Sequence, residues 1–157
     1  MRAYPKPQLF KPKNPQKYIG DVNNVVARSG LELKFFLMCD NNPSIKKWGS
    51  EEIFVPYISP LDNKPHRYFI DLYIENSNGE RFLVEIKPHS QTTPPRKTQG
   101  KREKTLLNEI KTYSVNEAKW KYASAHALKN GCKFIILTEK DLKWNHTRNF
   151  LMTKKMW

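Results

Sequence analysis

Cysteine, long apolar runs and acidic residues are all scarce in this sequence. The two cysteines, Cys39 and Cys132, are separated by most of the chain, which matches neither a metal-binding spacing nor a disulfide framework and suits a reducing compartment. No stretch approaches the roughly eighteen consecutive apolar residues of a membrane span. The basic N-terminus has no apolar run behind it. We therefore expect neither a membrane protein nor a secretory signal.

The shortage of acidic residues leaves the chain strongly basic. Lys and Arg number 28 against 15 Asp and Glu, which gives a formal net charge of +13 and a sequence pI near 9.8. This balance favours a polyanionic partner, usually nucleic acid, although a membrane surface or an acidic protein stays open on charge alone. The length of 157 residues favours one compact domain.

The N-terminal third divides into an arm and a helix. Four prolines among lysines mark residues 1–18 as an extended basic arm that wraps the domain or touches its partner, and residues 19–157 are expected to form the single domain. A helix is predicted to begin at Ser29, because Ser29 and Glu32 have capping-box spacing. It should end near residues 41–43.

The centre of the chain predicts a β-hairpin. Residues 66–75 alternate, which places Tyr68, Ile70, Leu72 and Ile74 on one face and Phe69, Asp71 and Tyr73 on the other. Residues 76–79 are a turn sequence. Residues 81–87 alternate again, with Phe82, Val84 and Ile86 on one face and Leu83, Glu85 and Lys87 on the other.

The remaining segments complete an α/β pattern. Residues 53–58 predict a strand, in which Pro56 indicates an edge or a bulge. After the hairpin come a basic, proline-bearing connection, two helices and a buried strand, at residues 91–104, 104–113, 114–130 and 133–138. The second of these helices is predicted to begin at Ser114, because Ser114 and Glu117 repeat the capping-box spacing. The predicted fold is an α/β sandwich around a short mixed β-sheet flanked by helices.

Asp71, Glu85 and Lys87 form the constellation that suggests chemistry, because the hairpin places all three on one face. Two carboxylates suit Mg²⁺, which keeps several waters and binds few protein oxygens. A lysine beside them could orient an attacking water or stabilise developing charge. The alternative is a solvated strand face with a Glu–Lys pair opposite an Asp. Glu32 could complete the metal shell, or it could serve the helix cap alone.

Several other residues are weaker candidates. His66 could touch the scissile phosphate, although such a histidine is more often a partly exposed residue at the end of a strand. Residues 50–52 could form a second acidic site or an exposed pair before a strand. The tail aromatics, Trp144 and Trp157, fit packing better than base stacking. A basic loop is expected to meet the DNA backbone, with a solvated loop as the alternative; it contains Arg96, Lys97, Lys101 and Arg102.

The order of the motifs R-S-x-x-E, W-G-S-E-E, H-R-Y-F-x-D and V-E-I-K-P resembles the TnsA-like branch of the PD-(D/E)xK nucleases. Within that branch the chain is similar to the head completion nucleases of T4-like tailed bacteriophages, from residue 10 to residue 139. The resemblance implies a restriction-endonuclease-like fold. TnsA itself has glutamine in place of Glu85, and relatives often have proline in place of Ile70.

The resemblance also implies roles. Glu32, Asp71 and Glu85 match the metal-binding and catalytic acids, and Lys87 matches the catalytic lysine. The implied activity is Mg²⁺-dependent endonucleolytic cleavage of double-stranded DNA, with Mn²⁺ able to substitute. The implied setting is phage head completion after DNA packaging, in the bacterial host cytoplasm and then in the virion head. Phage head or portal proteins are the implied partners, and the oligomeric state is left open.

Two other readings compete with a nuclease. A non-catalytic head-completion protein could grip DNA or the portal through a nuclease-like fold, but a pure binder has no need of a lysine beside two carboxylates. A sequence-specific regulator is disfavoured, since the chain has no helix-turn-helix or zinc motif.

Overall fold

The computed structural model describes residues 6–143 and 156–157, which form eight strands and two α-helices. In chain order these are β1 (Gln8–Leu9), β2 (Val26–Ala27), α1 (Gly30–Asn41), β3 (Ile45–Gly49), β4 (Phe54–Ile58), β5 (Pro65–Phe69), β6 (Leu72–Asn76), β7 (Arg81–Ile86), α2 (Glu103–Lys129) and β8 (Lys133–Leu137). Trp144, a packing candidate, lies outside the described residues. None of the described helices is long and apolar enough to cross a membrane.

The central sheet has four strands in the order β3-β6-β7-β8. The first three are antiparallel, whereas β8 runs parallel to β7. A parallel pair needs a long crossover, and α2 provides it between β7 and β8. Two-stranded antiparallel sheets, β1-β2 and β4-β5, lie outside this sheet.

The sheet separates two apolar cores, so the predicted α/β sandwich with a mixed sheet is confirmed. On one face α1 packs Phe35, Phe36 and Cys39 against the sheet. On the other face α2 packs Trp120 and Ala123, together with the β4-β5 hairpin.

The sequence predicted the local structure around the central hairpin correctly. Strands β6 and β7 pair across the turn at residues 76–79, where Gly79 adopts a φ of 83°. Within β7, Phe82, Val84 and Ile86 join the core under α1, and Leu83 joins the core under α2. Glu85 shares the parity of Leu83, which directs both toward the α2 side.

The strand predicted over residues 66–75 is in fact two strands that belong to different sheets. It breaks at Ile70 and Asp71, between β5 and β6. Both backbone groups of Ile70 bond to the segment before β4: its N–H donates to Ile53 O at 2.9 Å, and its C=O accepts from Glu51 N–H at 3.1 Å. The expected single face is therefore wrong, since Tyr68 joins the core under α2 and Leu72 joins the core under α1.

The two helices predicted over residues 104–113 and 114–130 are one helix. Helix α2 runs without a break for 27 residues, and Ser114 lies inside it. The capping-box spacing of Ser114 and Glu117 was misleading because no glycine or proline interrupts the helix between residues 103 and 129. The predicted stop at residues 130–131 is confirmed, with Gly131 at a φ of 69°.

Strand β3 was not predicted from the sequence. The adjacent exposed residues Lys46 and Lys47 obscure its alternation, and the pairing with β6 shifts register between Ile45 and Lys47. Residues 6–18, the described part of the N-terminal arm, lie against this region. Phe10 and Tyr18 are buried there beside Trp48.

Candidate active site

Asp71 lies at the break between β5 and β6, where the chain passes from one sheet to the next. Its Oδ2 atom accepts a hydrogen bond from the backbone N–H of Ile86 at 2.8 Å, which ties the carboxyl group to the end of β7. Burial raises the pKa of Asp71 well above its ordinary value of 3.8, and the neighbouring Glu85 raises it further. Asp71 and Glu85 are therefore close neighbours in the site.

Glu85 is more deeply buried than Asp71, with 5% of its surface exposed. The hydroxyl of Tyr68 donates a hydrogen bond to its Oε2 atom. Its Oε1 atom lies 3.4 Å from the ammonium nitrogen of Lys87. Each carboxylate oxygen of Glu85 therefore has its own partner, which fixes the orientation of the group.

Lys87 follows directly after β7, and its backbone N–H donates to Leu137 O at 3.0 Å, so the edge of β8 holds it in place. The side chain is 21% exposed. The ammonium group therefore borders both the buried Glu85 and the solvent.

Glu32 approaches the pair from the first turn of α1. The Ser29 hydroxyl accepts the N–H of Glu32 at 3.1 Å, as the predicted cap requires. The Glu32 carboxylate accepts the N–H of Arg28 at 2.6 Å, and not that of the cap residue itself. Burial raises the pKa of Glu32, and the charges of Glu51 and Glu85 add to this rise.

Glu51 is a further acidic residue at the rim of the site. Its φ of 55° is unusual for a side chain of this size. Arg28 holds its carboxylate by two contacts, of 3.1 and 3.2 Å. The sequence offered Glu51 as part of a separate acidic site, whereas the structure places it beside Glu32.

The donor set fits a Mg²⁺ ion. Within residues 6–143 and 156–157, no three side chains of the His, Cys, Asp and Glu types are grouped as ready metal ligands. Mg²⁺ commonly uses one or two carboxylates and keeps several waters, so Asp71 and Glu85 suffice in number and type. A cation between them would also relieve the repulsion that raises the pKa of Asp71.

Other predicted site residues lie elsewhere. His66 is exposed in β5, where its Nε2 atom lies 2.8 Å from Asp62 and its ring faces Tyr57, so the structure does not bring it to the carboxylates. Arg96, Lys97 and Arg102 are exposed on the loop before α2. Lys101 is half-buried and pins that loop, because its ammonium contacts Glu109 at 2.9 Å and Arg96 O at 2.7 Å.

Sequence reasoning missed Tyr68 as a site residue. An unbroken strand over residues 66–75 would direct Tyr68 and Asp71 to opposite faces. The break at Ile70 changes the direction of the chain, so that Tyr68 reaches Glu85 from β5. No pattern in the sequence marks this break.

The chain is similar to known proteins over most of its length. Residues 42–139 match the family model described as TnsA-like endonuclease N terminal, a span that includes Asp71, Glu85 and Lys87. The chain is also 45% identical over 137 residues to a protein of Enterobacteria phage T4 named head completion nuclease, covering 84% of this chain and 90% of that protein. The chain belongs to the TnsA-like endonuclease family.

Proposed function

We propose that this protein is a Mg²⁺-dependent endonuclease that hydrolyses phosphodiester bonds in double-stranded DNA. The observation that carries the proposal is the pair of adjacent carboxyl groups, Asp71 and Glu85, with the Lys87 ammonium 3.4 Å from Glu85. Membership of an endonuclease family supports the same reaction class.

Asp71 and Glu85 would hold the metal ion. When bound, Mg²⁺ would neutralise phosphate charge and lower the pKa of a bound water. The need for a cation follows from charge as well, because Glu32, Glu51, Asp71 and Glu85 converge on one place and would repel a phosphate. Mn²⁺ has the same charge and accepts the same oxygen ligands, so it should substitute.

The protein groups have separate tasks in this proposal. Tyr68 orients Glu85, and the Ile86 N–H orients Asp71. The ammonium group of Lys87 can donate hydrogen bonds to the attacking water or to the phosphate, where negative charge develops. The net charge of +13 brings DNA to the surface, and Arg96, Lys97 and Arg102 are exposed for contact with its phosphates.

The test is cleavage of linear and supercoiled duplex DNA with Mg²⁺, Mn²⁺ or EDTA, with the wild type beside Lys87→Ala. We expect cleavage that EDTA stops and that Lys87→Ala reduces at least a hundredfold, with DNA binding retained. Lys133→Ala is the matched control, because it removes a lysine that pairs with Glu80 at 2.7 Å, away from the carboxylates. Metal-dependent cutting by Lys87→Ala at the wild-type rate would remove Lys87 from the site. DNA binding without cutting in any metal would favour the non-catalytic role.

The name of the T4 relative supports a biological setting. We extend the proposal to head completion after DNA packaging, with head or portal proteins as partners, in the host cytoplasm and then in the virion. The test is a phage with Asp71→Ala at this locus. Accumulated filled heads without tails would support the setting, and normal virion yield would contradict it.

A further inference from the structure

A cleft of about 880 Å³ lies between the loop that follows β7 and the N-terminal half of α2. Its walls begin at Ser90, three residues after Lys87, and continue along α2 as far as Asn116. Hydroxyl and amide side chains are the most frequent in the lining, among them Thr93, Thr98, Thr105, Asn108 and Thr112. None of these groups has a role in the proposed hydrolysis.

Asn116 is the member of this lining that points to a ligand. It is 8% exposed, and the hydrogen bonds of the described residues include none from its side chain. An amide can donate two hydrogen bonds and accept two. Among the described residues, the side-chain atoms that are buried without a partner belong to Asn42, Trp48 and Trp120, so the Asn116 amide still reaches the solvent of the cleft and is available to a ligand. Asn116 lines the cleft, which places this unused hydrogen-bonding capacity at the ligand's position.

Tyr113 adds a fixed aromatic surface one turn earlier on α2. It is half-buried and lines the cleft, and its ring packs edge-to-face on Trp120 at 6.0 Å. The buried Trp120 therefore holds the ring in one orientation. A fixed ring beside amide groups suits a planar, hydrogen-bonding ligand such as a nucleobase.

The charge of the cleft favours a base over a phosphate. Lys101 lines the cleft, but its ammonium already contacts Glu109 and Arg96 O. Arg96 is the remaining cation among the described lining residues, and it is exposed at the surface. Neutral donors and acceptors therefore decide what binds inside, while Arg96 can contact the adjoining phosphate.

We propose that this cleft binds the base of an unpaired nucleotide next to the cleaved bond, so that the protein prefers DNA with a single-stranded segment. The inference rests on the proposed nuclease function. Ser90, in the wall of the cleft, follows Lys87 by three residues, so a DNA strand that leaves the cleft along this loop would reach the carboxylates. Asn116 and Asn108 hydrogen-bond the edge of the base, and Tyr113 stacks on its face. Inside a duplex, the Watson–Crick edge of a base is already paired and its faces are already stacked, so neither is available to the cleft.

The test is fluorescence anisotropy of a short labelled single-stranded oligonucleotide and of a blunt duplex, both in EDTA so that nothing is cut. Asn116→Leu replaces the amide with an apolar group of similar shape. We expect single-strand binding to weaken about tenfold or more, duplex binding to stay within twofold, and the thermal midpoint to be unchanged or higher. Tyr113→Leu is the second variant and should weaken single-strand binding by a similar factor. Asn24→Leu, at an exposed loop position, is the matched control.

Three results would overturn the proposal. These are single-strand affinity unchanged in both cleft variants, equal weakening for single strand and duplex, and a lowered thermal midpoint in Asn116→Leu together with unchanged affinity in Tyr113→Leu. Because binding is measured in EDTA, a protein that binds through the cleft but never cuts would contradict the nuclease proposal and leave the cleft assignment standing.

Discussion

Glu85 is held from two sides by groups that differ in how they respond to a metal ion. The Tyr68 hydroxyl is buried and bonds one oxygen, whereas Lys87 is partly exposed and lies near the other. A cation that binds Glu85 would compete with the Lys87 ammonium for the Oε1 atom. It could leave the hydrogen bond from the Tyr68 hydroxyl to Oε2 intact. Tyr68 is therefore a positioning residue, and Lys87 is the group free to act on substrate.

Tyr68→Phe removes one hydroxyl and leaves the packing of the ring. Loss of a hydrogen bond that orients a metal ligand typically weakens metal affinity about 10–100-fold. We expect a rise of that size in the Mg²⁺ concentration for half-maximal cleavage, with a much smaller change in rate at saturating metal. A Mg²⁺ titration of cleavage measures both quantities.

Tyr57→Phe is the control, because Tyr57 lies beside Lys119 as Tyr68 does but belongs to β4. An equal effect in both variants would show that the hydroxyl of Tyr68 has no special role at Glu85.

The Asp71 carboxyl group makes stability depend on pH. An acid whose pKa is higher in the folded than in the unfolded protein binds its proton more tightly when folded. Its contribution to the free energy of unfolding therefore falls as the pH rises above its ordinary value of 3.8, until the pH passes the folded pKa. Each unit of upward shift corresponds to about 1.4 kcal/mol.

Asp71→Asn should remove this dependence and keep the acceptor for the Ile86 N–H. In EDTA we expect its thermal midpoint to match the wild type near pH 4 and to exceed it increasingly toward pH 8. Mg²⁺ should raise the midpoint of the wild type and leave that of Asp71→Asn unchanged. Thermal unfolding followed by circular dichroism measures these midpoints, with Asp21→Asn as an exposed control. Parallel pH profiles for wild type and Asp71→Asn would contradict the assignment.

At the scale of single residues, the sequence predicted the charged side chains of the candidate site. Period-two alternation and one turn suffice to place Glu85 and Lys87 on the same side of β7. Tyr68 and the rim position of Glu51 could not be predicted, since both depend on where the chain leaves one sheet for another. That break is set by the bonds of Ile70 to Ile53 and Glu51.

At the scale of elements, the unbroken course of α2 determines which parts of the protein it connects. Helix α2 is about 40 Å long at 1.5 Å per residue, so its C-terminal half covers the sheet while its N-terminal half forms a wall of the cleft. Two shorter helices with a cap at Ser114 would allow these halves to move separately. One helix couples them.

Ser114→Ala tests this continuity. Serine inside a helix is less favourable than alanine by about 0.5 kcal/mol, so the substitution should stabilise the protein slightly. Ser29→Ala is the contrast, because Ser29 is a true N-cap whose loss should cost about 1 kcal/mol. Urea unfolding of both variants measures the two free energies. Destabilisation of about 1 kcal/mol by Ser114→Ala would indicate a helix start at that position.

The capping-box rule was right at Ser29 and wrong at Ser114 for a physical reason. A capping-box sequence starts a helix only where the preceding residues are not already helical. Ser29 meets this condition, because residues 23–28 form a loop and a short strand. The helix is already under way before Ser114, and no glycine or proline lies in residues 103–113 to interrupt it, so it continues through Ser114.

At the scale of the whole molecule, the arm is part of the fold. Phe10 contacts Phe36 and Trp48 with ring centroids 5.8 and 5.9 Å apart. The backbone N–H groups of Lys13 and Asn14 donate to the buried Asp40 carboxylate at 2.8 and 3.1 Å. Proline content predicted an extended path, but the anchoring could not be predicted, since it needs the position of Asp40 and Trp48 in the folded domain.

The arm also supports the rim of the candidate site. The hydroxyl of Tyr18 lies 3.0 Å from Glu52 and donates to Ser50 O at 3.3 Å, so it holds both neighbours of Glu51. Burial raises the pKa of Tyr18 to about 12, which keeps the hydroxyl protonated as a donor across the physiological range. The segment that carries Glu51 therefore depends on the arm.

Deletion of residues 1–18 should consequently reduce stability and cleavage together. Loss of a buried phenylalanine side chain alone typically costs about 3–5 kcal/mol, a large part of the roughly 5–15 kcal/mol that stabilises a domain. We expect a much lower thermal midpoint for the deletion, and an intermediate one for Phe10→Ala. Deletion of residues 1–7 is the control, since the described residues that it removes are the exposed Lys6 and Pro7. Calorimetry and cleavage of a short duplex, run on the same preparations, measure both effects. An unchanged thermal midpoint in the longer deletion, with loss of DNA affinity alone, would contradict this prediction. It would show that the arm binds DNA and that the contacts of Phe10 and Tyr18 are not needed for the stability of the domain.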